Sequence, residues 1–89
     1  MAHIPLEKLA QKLADAGREV EVGARYVHYK DPAKEYVIKS FAILEATDEV
    51  GVIYEAQYDK RISFIRLLTN FCGSVDVAGV STPRFTKAN

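Results

Sequence analysis

Leu6, Leu9, Ala10, Leu13 and Ala14 recur at i, i+3, i+4, i+7 and i+8, a spacing that gathers apolar side chains on one stripe of an α-helix. Pro5 suits the first helical position, where its missing N–H leaves no bond unmade. Glu7 falls near the positive end of such a helix and Lys12 near the negative end. Gly17 is placed to stop it with a left-handed cap. The pattern predicts a helix over residues 5–16, within an N-terminal segment of residues 1–17. About a dozen helical residues are marginal alone in water, so the leucine stripe must dock on this chain's own sheet or on a partner.

Beyond Gly17 the hydrophobic period changes to two. Residues 18–30 alternate loosely, with Val20, Val22, Tyr26 and His28 on one side and a bend at Gly23. Asp31-Pro32 is a turn signal. Residues 35–44 predict a long strand, with Tyr36, Ile38, Ser40, Ala42 and Leu44 on one face and Val37, Lys39, Phe41 and Ile43 on the other. After the polar turn Thr47-Asp48-Glu49, residues 50–58 put Val50, Val52, Tyr54, Ala56 and Tyr58 on one face. The opposite face carries Glu55 and Gln57 and is expected to meet water. Ile62 to Arg66 form a short strand, and Leu67 to Phe71 fit one helical turn. Gly73 and Gly79 mark bends around a last strand near Val75 and Val77, and Pro83 confines the residues after it to an edge or a tail. Thr86 to Asn89 are expected to fray. About five short strands at this spacing predict a mainly β domain over residues 18–85, a small barrel or a tightly curled sheet.

Eighty-nine residues are enough for one domain with one modest core. Twelve basic and twelve acidic residues cancel, so overall charge favours neither nucleic acid nor anionic lipid. The charge is nevertheless segregated: residues 35–58 hold one basic residue against five acidic, and residues 59–89 hold five basic against two acidic. Antiparallel neighbours could neutralise one another, or the second segment could present a basic patch to an anionic partner. Cys72 is the single cysteine. It forms no intramolecular disulfide, and with no basic stretch and apolar core at the N-terminus a cytoplasmic location is expected. No apolar run approaches the roughly 20 residues of a membrane span. His3, His28 and Cys72 lack metal-ligand spacing, and no cofactor is implied.

Arg25-Tyr26-Val27-His28-Tyr29-Lys30 matches the Tyr-x-His-Tyr-Lys signature of a bacterial family known as domain of unknown function 1653. Tyr36-Val37-Ile38, Val52-Ile53-Tyr54 through Tyr58, Phe64-Ile65-Arg66, Phe71 and Pro83-Arg84-Phe85 follow in the family's order. From about Gly23 onward the chain resembles that family. Phe64 stands where the family often has tryptophan, Leu67 where it has proline, and Asn70 where it has methionine. The resemblance implies a Src-homology-3-like barrel and assigns no activity, since fold does not imply function. The N-terminal helix lies outside the matched part.

The candidate ligand-binding residues are Tyr26, His28, Tyr29, Tyr58, Phe64, Arg66 and Arg84, with Phe85 beside them. Small barrels bind along aromatic grooves, arginine meets carboxylate or phosphate with paired hydrogen bonds, and tyrosine stacks on planar groups. The competing reading makes the aromatics core and both arginines internal clamps. His28 is either a partly buried structural histidine or a general base assisted by Tyr29, Glu55 or Tyr58. Cys72 is expected to be a buried structural cysteine. Three functions remain open: a non-catalytic module for a peptide, a nucleic-acid strand or a small anion; an oligomerisation domain, such as a homodimer through Leu6, Leu9 and Leu13; and, with least support, a small enzyme.

Overall fold

The computed structural model describes residues 4–88. Helix α1 (Leu6–Glu19) is followed by strands β1 (Arg25–His28), β2 (Asp31–Leu44), β3 (Glu49–Ala56) and β4 (Ser63–Leu67). A four-residue helix α2 (Leu68–Phe71) then leads to β5 (Ser74–Val77), β6 (Val80–Pro83) and β7 (Phe85–Lys87). The fold is mainly β with an N-terminal helix.

Pro5 precedes the helix rather than starting it, and its carbonyl accepts the N–H groups of Lys8 and Leu9 at 3.0 and 3.1 Å. At the other end, Gly17 does not stop α1. The helix runs on to Glu19 because Ala16 and Val20, 0% and 2% exposed, lie against the sheet. Burying them outweighs the roughly 1 kcal/mol that a mid-helix glycine costs. The left-handed glycine of this segment is Gly23 (φ 87°), whose N–H donates to the Ile38 carbonyl at 2.8 Å and which turns the chain into β1. The predicted stripe is only partly docked: Leu9 and Leu13 are half-buried, Ala10 and Ala14 exposed, and Leu6 is 81% exposed. A polar strap adds to the docking. Lys12 Nζ donates to the carbonyl of Asp48 at 2.6 Å, and the carboxylate of that buried residue accepts the Ile4 N–H at 3.5 Å.

Five strands form one antiparallel sheet in the order β4-β3-β2-β1-β7, and β5 pairs only with β6. The sheet is open, with β4 and β7 as its edges. The barrel closure suggested by strand count does not form: the segment between β4 and β7 pairs with itself as a hairpin, and β7 is three residues long. Asp31-Pro32 opens β2 instead of making the turn, which falls on Tyr29-Lys30. Between Ile38 and Ser40 the register shifts by a bulge. A bulge inserts one unpaired residue and so reverses the alternation beyond it. Phe41 and Ile43 therefore face the core opposite Val52 and Val50, against the simple two-residue count, and Leu44 turns outward.

The core is Val20, Tyr26, Ile38, Val52, Tyr54, Phe71 and Phe85. Phe71 and Phe85 stack with centroids 4.1 Å apart and planes 6° apart. Tyr26 meets Phe71 edge-on at 5.6 Å, and Tyr54 meets both phenylalanines edge-on. A helix of four residues has no stability of its own, so the buried Phe71 ring is what holds α2. The expected frayed tail is also anchored. Thr86 and Lys87 pair with Val27 and Tyr26, the Ala88 N–H donates to the Arg25 carbonyl at 2.8 Å, and Lys87 forms an ion pair with Glu21. His3 and Asn89 lie outside the described residues.

Candidate functional site

One sheet face gathers most of the candidate residues around Phe85. His28 ends β1 and pairs with Phe85 of β7. On β4, Phe64 and Arg66 lie opposite Tyr54 and Val52, so two-residue alternation puts them on the core face. Arg84 links β6 to β7, and its backbone is held from both sides: its N–H donates to the Gly73 carbonyl, and its carbonyl accepts the Tyr29 N–H, both at 3.0 Å.

Arg66 reaches over the Phe85 ring, its Cζ 5.3 Å from the centroid, on a ring that also stacks with Phe71. Its Nε donates to the Tyr54 hydroxyl at 3.0 Å and its Nη1 to Asn70 Oδ1 at 2.5 Å. Arg84 Nε donates to the Asn70 carbonyl at 3.1 Å. Both guanidiniums are thus oriented by neutral acceptors on one short helix and one strand. Among the described residues no carboxylate lies within 4 Å of either, since the four ion pairs are Arg18–Asp15, Arg25–Glu35, Lys34–Asp31 and Lys87–Glu21. None of these joins the acidic segment 35–58 to a described residue of the basic segment 59–89.

His28 meets Phe85 edge-on at 5.0 Å and Tyr29 at 4.7 Å. Its Nδ1 accepts the Lys30 N–H at 3.2 Å. Burial, followed by the positive charges of Arg66, Lys30 and Arg84, holds its pKa below the ordinary value of 6.5. Glu55, considered as a partner for it, stands on the opposite face of β3 from Tyr54 and accepts from Gln57 at 3.0 Å. A phenol pair forms the far rim: the Tyr36 and Tyr58 hydroxyls are 2.6 Å apart, and Lys34 Nζ lies 5.0 Å from the Tyr58 ring centre. Burial, then the Tyr58 hydrogen bond, pushes the Tyr36 hydroxyl up to about 12. Phe64 is 43% exposed and leans on Tyr54 at 5.8 Å.

Tyr26 lies buried beneath this face, in the cluster with Phe71 and Phe85, and not at its surface. It is 8% exposed, and its hydroxyl accepts the Glu21 N–H at 3.1 Å, so it is a core residue that tethers the end of α1. Cys72 is exposed rather than buried, because it follows α2 on the solvent side. Partial desolvation, then Glu19, raises its thiol pKa, which disfavours the nucleophilic thiolate. Three residues of the site were not singled out from sequence: Tyr36, Tyr54 and Asn70. The two tyrosines had a visible signal, their place on the apolar side of their strands. Asn70 had none, because its role depends on where α2 lands. Two clefts lie elsewhere, beside α1. One of about 270 Å³ includes Lys12, Ala16, Val50 and Leu68, and one of about 600 Å³ includes Leu6, Leu9, Ile43 and Asp48. Among the described residues no group of three or more His, Cys, Asp or Glu could hold a metal ion, and no helix is long and apolar enough to cross a membrane.

Comparison with known proteins bears on the family alone. No curated protein matches the chain. Among solved structures it is similar to a protein of the DUF1653 family from Bordetella bronchiseptica, at 31% sequence identity and a TM-score of 0.63, over 76% of this chain and 86% of that one. The profile of that family, described as a protein of unknown function, matches residues 24–87, so α1 lies outside it. The chain belongs to the DUF1653 family.

Proposed function

We propose that this domain is a non-catalytic binding module whose His28–Arg66–Arg84 face takes an anionic ligand. The observation that carries this reading is the pair of arginines without a carboxylate. A guanidinium offers five N–H donors; Arg66 uses two of them and Arg84 one, all on neutral acceptors. Their positive charge is left for a group from outside, and their orientation is set in advance, which lowers the ordering cost of binding. Tyr58, Tyr29 and Phe64 add partly exposed ring surface at the margins. Kinship with Src-homology-3-like barrels and a cytoplasmic setting belong to the same proposal, supported by the five-stranded antiparallel sheet and by the absence of a second cysteine.

The histidine's surroundings speak for binding over catalysis. Its ring nitrogen bonds to a backbone N–H, and the charges that shift its pKa, those of Arg66, Lys30 and Arg84, are cationic, whereas a general base works best beside a group that stabilises its protonated form. The test is an NMR titration with inorganic phosphate, short oligonucleotides and acidic peptides, following the His28 ring and the Nε–H signals of Arg66 and Arg84. Saturable shifts at these groups, lost in Arg84→Gln, are the expected result. Unmoved signals with all three classes of anion would refute the reading.

A further inference from the structure

We infer that α1 is a self-association surface, pairing antiparallel with α1 of a second copy of this chain. The helix uses only one side on its own sheet. Ala16 and Val20 are buried there, with Leu9 half-buried beside them, while Leu6, Ala10, Ala14 and Gly17 are exposed, Leu6 at the rim of the cleft that Leu9 and Ile43 line. Leu13 borders both sides.

Gly17 is the first clue to the occupant. It sits inside the helix, where glycine costs about 1 kcal/mol relative to alanine. A Cβ at this position would meet nothing within 4 Å, so no contact inside the chain requires its absence. Close approach of a second helix would require it, since small residues let helix backbones come together.

Charge supplies the second and independent clue, and it points to another copy. Glu7 and Arg18 are eleven positions apart (18 − 7), about three turns with 20° left over, so they lie on the same flank of the outward stripe. A two-fold axis midway between them brings Glu7 of each helix to Arg18 of the other. The same axis sets Ala10 against the second copy's Ala14, Leu6 near its Gly17, and the two Leu13 side chains together. Both charged residues are exposed, and Arg18 has only a weak local contact, 3.6 Å to Asp15 with its side chain 78% exposed. An isologous contact of this kind needs one self-complementary patch. A single pair of short helices is at the small end of interface sizes, so the association should be weak, on the order of 10–100 µM.

The test uses the full chain and two charge reversals, Glu7→Arg and Arg18→Glu, studied by sedimentation equilibrium. Each variant alone places like charges together twice and should dimerise roughly tenfold less tightly than the natural chain. A mixture of the two variants restores both opposite-charge pairs and should form a heterodimer of near-natural affinity, an outcome that damage to the fold would not produce. Gly17→Leu, with helix content checked by circular dichroism, should abolish association. A natural chain still monomeric at about 1 mM would overturn the inference. So would a dimer indifferent to the reversals, or a mixture no tighter than the separate variants.

Discussion

Phe71→Ala tests whether one buried ring holds both the core and the binding face. Phe71 is 2% exposed and touches Tyr26, Tyr54 and Phe85. Truncating such a ring removes its transfer energy and leaves a cavity, together worth about 3–5 kcal/mol. A chain of 89 residues has a total stability of roughly 4–13 kcal/mol at 0.05–0.15 kcal/mol per residue. The loss is therefore a large part of the whole. With a urea slope of about 1 kcal/mol/M for a domain of this size, the midpoint should fall by about 3 M or more. If the natural midpoint is lower than that, the variant should be unfolded in buffer. Phe71→Leu keeps most of the volume but loses the stack, at about 1–2 kcal/mol. Phe64→Ala removes a ring that is 43% exposed and should cost under about 1 kcal/mol. Urea unfolding followed by far-ultraviolet circular dichroism and tyrosine fluorescence measures all three; the chain has no tryptophan. If Phe71→Ala proves no more damaging than Phe64→Ala, the stack is not what secures α2. Asn70 would then owe its place, and its hold on Arg66 and Arg84, to something other than the Phe71 ring.

Two further predictions concern titration. Tyr36 deprotonates near 12 in the folded chain against about 10 when unfolded, so its contribution to stability is full below pH 10 and is lost as pH rises from 10 toward 12. An absorbance titration at about 295 nm should show a late tyrosine step for Tyr36, and Tyr58→Phe should bring it back toward 10; an unchanged late step would rule out the hydroxyl pair as a cause. His28 is held low by burial and by nearby cations. Stability from this group is complete above its unfolded value of about 6.5 and is lost as pH falls through the folded value. Arg66→Gln should raise the His28 pKa in an NMR titration, and a downward move would show that Arg66 does not act on the ring.

Several features were legible in the residues because they are local. The apolar spacing of Leu6, Leu9 and Leu13 marked a helix, and the alternation of Val50, Val52, Tyr54 and Ala56 marked β3 with its buried face. The unpatterned stretch after Leu67 marked α2. Other readings failed where two distant segments decide the matter. Gly17 had the chemistry of a stop signal, yet burial of Ala16 and Val20 carried the helix past it. Phe41 changed faces because of one extra residue before Ser40, which no periodicity count from either end could locate. Tyr26 carried the same motif label as His28 but went into the core, because the end of α1 supplies a partner for its hydroxyl.

The sequence by itself determined the helix α1, the strand β3 with its apolar side and the turn of α2, since propensity and hydrophobic period act over a few neighbouring residues. The tertiary structure alone decided that the sheet stays open and that Arg66, Asn70 and Arg84 meet over Phe85. It alone also left half of the α1 stripe uncovered. Those outcomes depend on which surfaces win burial against each other, a competition between residues tens of positions apart that no local pattern encodes.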